Sequence, residues 1–288
     1  MAWAGPVIKG IPLWGAATSI VQRITEKRLG LIAAGIAFYG MLALFPALAA
    51  IIALWGIVGD PQAILPQIEH FRGVMPEGVF GILSKQINAL TQADGGSLGW
   101  ATLISLGLAI WSSRAGVTAL INGLNAVYDA PNRGGIRHYA TALALTVALI
   151  FVALCAMAAI LIVPLILAFV PLGGAAGMAL EVARWALATT VLMAGAGLVY
   201  RYGPNRSARR LPWVTPGAVV AVLLWAAVSA AFSYYLSNFG NYNEVYGSIG
   251  AVIALMMWLY FSGFLLLIGA ALNAELETRK AGSRAQRT

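Results

Sequence analysis

Charge is what this chain is short of. Only 10% of its 288 residues are Asp, Glu, Lys or Arg, while 60% are hydrophobic, against roughly a quarter charged in an ordinary soluble domain. Water is therefore excluded as its main solvent. Cysteine is nearly absent as well: Cys155 stands alone, so no internal disulfide can form, and its place in an apolar run reads as a small buried hydrophobe. The two histidines, His70 and His138, fall on opposite faces of the expected membrane and cannot join in a metal cluster. No Gly-rich phosphate loop, HExxH or GxSxG occurs, so nucleotide hydrolysis, zinc proteolysis and serine hydrolysis have no announced machinery. Neither a catalytic residue, a metal site nor a cofactor is expected.

Long apolar runs are what the chain has instead. Stretches of the ~20 residues that a bilayer core requires lie near 31–58, 98–127, 139–170, 185–202, 213–236 and 247–272. The expected fold is all-α, a single membrane domain of six transmembrane helices over 31–274, with a cytoplasmic interfacial segment at 1–30 and a basic cytoplasmic tail at 275–288. In the first segment Leu13, Trp14, Ala17, Ile20, Val21 and Ile24 recur at helical spacing while Gln22, Arg23, Glu26 and Lys27 face elsewhere, the pattern of a helix lying on a membrane surface. Residues 59–97 read as an outer loop with two short amphipathic helices, one carrying Ile64, Leu65, Ile68 and Phe71, the other Val79, Phe80, Leu83, Ile87 and Leu90.

The basic residues test that count, because cytoplasmic loops collect Lys and Arg. One side holds Lys9, Arg23, Lys27 and Arg28; Arg114, Arg133 and Arg137; Arg201, Arg206, Arg209 and Arg210; and Arg279, Lys280, Arg284 and Arg287, which is fifteen of the eighteen. Arg72, Lys85 and Arg184 remain for the other. Both termini are thus expected on the cytoplasmic side of the membrane. The net charge of +8 follows from topology and attraction to anionic lipid. Scattered over several loops, it does not point to nucleic acid.

Three groups of residues could carry function. Arg114, Thr118, Asn122, Asn125 and Asp129 are spaced 4, 4, 3 and 4 apart and at ~100° per residue share an arc of about 80°, opposite Val117, Leu120, Ile121, Leu124 and Val127. They read either as one wall of a polar groove at the inner half of the membrane or as the wet face of a projecting helix. The run "SNFGNYNEVYGSIG" places Asn241, Tyr242, Asn243, Glu244 and Tyr246 at the rim of an outward-facing polar mouth, beside an aromatic belt. In "YRYGPNRSARR", Arg206, Arg209 and Arg210 could contact a lipid headgroup.

"GIAFYGMLALFPAL", "RAGVTALINGLNAVYD", "YRYGPN" and "YNEVYGSIGAVIALMMWLYFSGFLLLIGAALNAELE", in this order over about residues 28–277, resemble the YihY/BrkB family of bacterial inner-membrane proteins. Members long carried a ribonuclease BN label and have been associated with serum resistance and envelope lipid or lipopolysaccharide traffic. The resemblance implies six inner-membrane helices and, as partners, membrane lipids with an envelope protein or a second copy of the chain. One departure stands out: Glu244 occupies a position where the family often has a basic residue. The expected role is translocation or hand-over of an amphipathic envelope molecule such as a phospholipid or glycolipid. The alternative is a membrane interaction module that docks a partner without moving anything. If the polar stripe lines the groove, Asn125→Leu would impair transfer with little loss of folded protein. Ribonuclease activity is not expected, since no carboxylate or histidine set for a metal is visible.

Overall fold

The computed structural model describes residues 13–58, 95–169, 174–206, 211–238 and 242–285. Among them are seven helices and no strand: α1 (Leu13–Glu26), α2 (Leu29–Val58), α3 (Gly95–Val127), α4 (Gly135–Phe169), α5 (Gly174–Tyr202), α6 (Pro216–Asn238) and α7 (Tyr242–Ala285). Helices α2 to α7 overlap the six apolar stretches, and α1 is the helix that the spacing before them predicts. The two outer-loop helices expected within 59–97 fall outside the described residues, save for the start of α3.

The chain is a helical membrane protein. Gly135–Ala153, Pro216–Tyr235 and Val252–Gly282 are long and apolar enough to cross a bilayer, yet of an apolar 18-residue stretch taken from each only 17%, 17% and 22% is buried within the protein. So much uncovered apolar surface, including Phe151, Leu223 and Tyr234, needs lipid around it, and the helical backbone leaves no polar group for that lipid to solvate.

Two compact units divide the chain. The first comprises 1–33, 120–226 and 263–288. Its core contains Leu29, Leu120, Ile121, Leu124, Val127, Val199, Tyr200 and Leu267, so the apolar side of α3 is buried from Leu120 onward, while Val117 before it is half-buried. Helices α6 and α7 touch at glycines, where a Cβ on Gly217 would enter the Gly269 carbonyl and one on Gly269 the Gly217 carbonyl. Two bare backbones meeting there let neighbouring polar groups pair. Thr215 Oγ1 accepts from the Ala218 N–H at 3.0 Å, an N-cap ahead of Pro216. Asn273 of α7 adds to it, accepting from the Gly217 N–H at 2.8 Å and donating to Thr215 Oγ1 at 2.9 Å. Helices α4 and α5 pack against each other, with Val152 beside Gly195.

The second unit comprises 34–119 and 227–262. Gly116 of α3 lies close to Gly40 and Tyr39 of α2, and Trp258 Nε1 donates to Ser229 Oγ at 3.3 Å. Arg114 sits 5.0 Å from the centre of the Trp111 ring, and Thr118 Oγ1 donates to the Arg114 carbonyl at 2.8 Å.

Helix α7 begins earlier than the apolar pattern suggests. Tyr242, Asn243, Glu244 and Tyr246 are in its first turns rather than in a loop. At 1.5 Å per residue its 44 residues reach about 66 Å, twice a ~30 Å hydrocarbon core. Polarity marked where water begins, and a helix crosses that boundary when its backbone bonds continue.

Candidate functional site

The C-terminal end of α3 organises the first unit. Asp129 has φ of 50°, a left-handed conformation that Asp and Asn tolerate better than most residues. The Ala130 N–H returns to the Asn125 carbonyl at 2.9 Å and the Asp129 N–H to that of Ala126 at 3.4 Å, closing the helix as a Schellman-type end. Helix α1 is pinned here: Arg23 Nη1 donates to the Val127 carbonyl at 2.6 Å and lies 3.3 Å from Asp129 Oδ2, while Lys27 pairs with Asp129 Oδ1. The Lys27 hydrogen bond, with both cations adding attraction, holds the Asp129 carboxyl below its ordinary pKa. Arg23 is therefore turned inward while Val21 is exposed, against the division of faces that the spacing of α1 suggests.

Asn125 is the joint between this corner and the segment after α5. Only 2% exposed, it accepts from the Asn205 N–H at 2.7 Å and donates to Asn132 Oδ1 at 2.8 Å. Arg133 completes the joint, with Nη1 donating to the Gly203 carbonyl at 2.6 Å and Nη2 to those of Pro204 at 2.8 Å and Tyr202 at 3.2 Å. These carbonyls would otherwise end α5 unpaired. Burial lowers the Arg133 pKa, but a guanidinium stays charged at physiological pH. Gly203 must be glycine for space, since a Cβ would lie 2.4 Å from the Val199 carbonyl oxygen.

Beside this joint a cavity of about 530 Å³ opens between the start of α4 and the end of α5. Arg133, Arg201 and Arg206 line it together with Ala144, Leu145, Ala148, Leu198 and Leu211. A pocket of about 440 Å³ shares Arg133, Ala140 and Thr141 with it and adds Arg137. Arg201 Nη1 donates to the Leu211 carbonyl at 2.8 Å, and its guanidinium lies 5.5 Å from the centre of the Trp213 ring. Arg206 Nη2 is 2.5 Å from Glu277 Oε2, with the guanidinium 4.6 Å from the Tyr128 ring centre. The Tyr128 hydroxyl is buried, with Asn273 near it but completing no hydrogen bond; burial raises its pKa more than Arg206 lowers it. Chemically, the cavity presents guanidinium donors and aliphatic walls within one volume.

The polar stripe on α3 is not one surface. Asn122 is exposed, Asn125 is buried and hydrogen-bonded, and Asp129 is an exposed anchor for α1. Arg114 and Thr118 belong to the second unit and the other three to the first. Of the residues considered for a headgroup, Arg206 lines the cavity, while Arg209 and Arg210 lie outside the described residues. So does Asn241; Tyr242, Asn243, Glu244 and Tyr246 are described only as helix. Arg133 and Arg201 were not singled out beyond their charge, and Arg201, within "YRYGPN", was the available signal. Among the described residues no three His, Cys, Asp or Glu side chains gather as a metal site.

Comparison with known proteins adds a family. The family model described as virulence factor BrkB matches residues 20–288. A protein named as ribonuclease-like, YfkH of Bacillus subtilis (strain 168), is 34% identical over 260 residues, covering 86% of this chain and 90% of YfkH. UPF0761 membrane proteins match over a shorter segment. One from Xanthomonas campestris pv. campestris (strain B100) is 36% identical over 90 residues, 31% of this chain and 21% of its own; one from Xanthomonas oryzae pv. oryzae (strain PXO99A) is 38% identical over 79 residues, 27% and 18%. No solved structure matches.

Proposed function

The chain belongs to the virulence factor BrkB family, and from that premise we propose that it moves or hands over an amphipathic envelope molecule, such as a phospholipid or glycolipid, in the bacterial inner membrane. In this reading α2 to α7 are six spans, both termini are cytoplasmic, and the protein breaks no covalent bond. The observation that carries it is the cavity between α4 and α5, where three arginines and an aliphatic wall share about 530 Å³. A headgroup would sit among the guanidinium donors while its tail stayed against apolar side chains, which lowers the cost of taking charge through a low-dielectric layer.

The test is transfer of labelled lipid by purified protein in liposomes. Transfer above that of empty liposomes, reduced when Ala148→Phe fills the apolar part of the cavity, is the expected result. No transfer by the wild-type protein would refute the reading and leave docking of an envelope partner. The name of YfkH raises RNA cleavage as an alternative chemistry. Purified protein should show no metal-dependent cleavage above a mock preparation, and cleavage that survives purification and is lost on replacing Asp129 or Glu244 would overturn the non-enzymatic part.

A further inference from the structure

Three arginines near one cavity are more than loop anchoring requires. Arg133 has a structural use, since its terminal nitrogens hold three carbonyls. Arg201 and Arg206 are different. Each makes one hydrogen bond recorded among the described residues, yet Arg201 Nε and Arg206 Nη1 are buried with no partner there. A guanidinium has five N–H donors, and buried ones are almost always satisfied. Of the three arginines only Arg206 pairs with a carboxylate among the described residues, through Glu277, so the cavity keeps a surplus of positive charge. Planar donor groups with positive charge to spare suit an anion with several acceptor oxygens.

We propose that Arg201 and Arg206 form a binding site for a phosphate monoester or diester, with Arg133 setting the shape of the loop behind it. The site rests on the preceding reading only for what is attached to the phosphate. Ala144, Leu145, Ala148 and Leu198 on the facing helices offer an acyl chain a surface that free phosphate does not use, which favours a phospholipid headgroup as the source. Glu277 competes for Arg206 with the incoming anion. Removing its charge should strengthen binding, an effect that a purely structural Arg206–Glu277 pair does not produce.

The experiment uses full-length protein in a phosphate-free maltoside detergent. Calorimetry compares inorganic phosphate, glycerol 3-phosphate, dioctanoyl phosphatidylglycerol and dioctanoylglycerol as probes. Wild-type protein should bind the phosphatidylglycerol at least about tenfold more tightly than Arg201→Gln or Arg206→Gln does, a ratio equal to about 1.4 kcal/mol. Glu277→Gln should bind it more tightly than wild type. If the arginine variants fail to fold, the Glu277→Gln comparison decides. Equal binding of dioctanoylglycerol and phosphatidylglycerol, indifference to both arginine changes, or no gain in Glu277→Gln overturns the proposal.

The arms also separate the sources. Tighter binding of phosphatidylglycerol than of glycerol 3-phosphate, with the difference lost in Ala148→Phe, assigns a lipid headgroup; equal binding assigns a soluble phosphate compound, and both retain the phosphate site. Phosphate binding without lipid transfer in liposomes leaves this site standing and removes the hand-over reading. Transfer that ignores Arg201→Gln does the reverse.

Discussion

Replacing Asn125 by leucine is the sharpest test of how the first unit is held. The side chain is 2% exposed, so its partners cannot turn to bulk water without opening the corner. Losing the carboxamide oxygen strands the Asn205 N–H, now bonded at 2.7 Å; an unsatisfied buried donor costs about 1–3 kcal/mol. The second bond, to Asn132 Oδ1 at 2.8 Å, is worth less because Asn132 is exposed and water can replace its partner. That bond contributes about 0.5–1 kcal/mol. Extra apolar transfer from leucine offsets part of this, so the net loss should be about 1.5–3 kcal/mol. Asn132→Ala should cost less than about 1 kcal/mol. Equilibrium unfolding of both variants in detergent, followed by tryptophan fluorescence, measures the difference. The variants share a contact, so the double change should fall short of the sum. An Asn125→Leu protein within about 0.5 kcal/mol of wild type would refute the joint and restore the expectation that this residue can be exchanged with little loss of fold.

Three further outcomes follow from particular contacts. Asp129→Asn should lower stability by about 0.5–1 kcal/mol by removing exposed pairs with Arg23 and Lys27, and Asp129→Ala by about 1 kcal/mol more because alanine resists the left-handed backbone; equal losses would contradict this. Because the folded pKa of Asp129 lies below its unfolded value of about 3.9, its contribution is present above that pH and is lost as pH falls through the folded pKa. Melting in wild type should therefore show no Asp129-dependent change between pH 5 and 8, and the gap to Asp129→Asn should close below about pH 4. Gly269→Ala should cost about 1–3 kcal/mol through overpacking against α6, whereas Gly282→Ala, with nothing within 4 Å, should be neutral or slightly stabilising; the same unfolding assay ranks them. Reporter fusions after Arg210 and after the tail should read cytoplasmic and one near Asp94 periplasmic, and a periplasmic tail would refute the six-span topology.

Sequence alone determined the membrane as solvent, the helical class and the division of α3 into a polar and an apolar side, because these depend on composition and on the 3.6-residue period, both properties of short stretches of chain. Leu120, Ile121, Leu124 and Val127 could be placed on one side of the helix without knowing what they touch, and the fold then buried them. The family was legible too, through "YRYGPN" and the long apolar segment after it. Polar residues were harder, because a polar side chain has the same period whether water or a protein atom satisfies it. Asn125 belonged to a stripe by spacing, but its burial depends on Asn205, 80 residues away, and Asn273 has its role only because Gly217 and Gly269 let two backbones meet. Arg133 and Arg201 counted as topological charge until folding brought the start of α4 beside the end of α5 and gave one cavity both cationic and aliphatic walls. Tertiary structure alone decided these matches, since a hydrogen bond requires its partner within about 3 Å and at the right angle, and neither condition is written in the spacing of one strand of sequence.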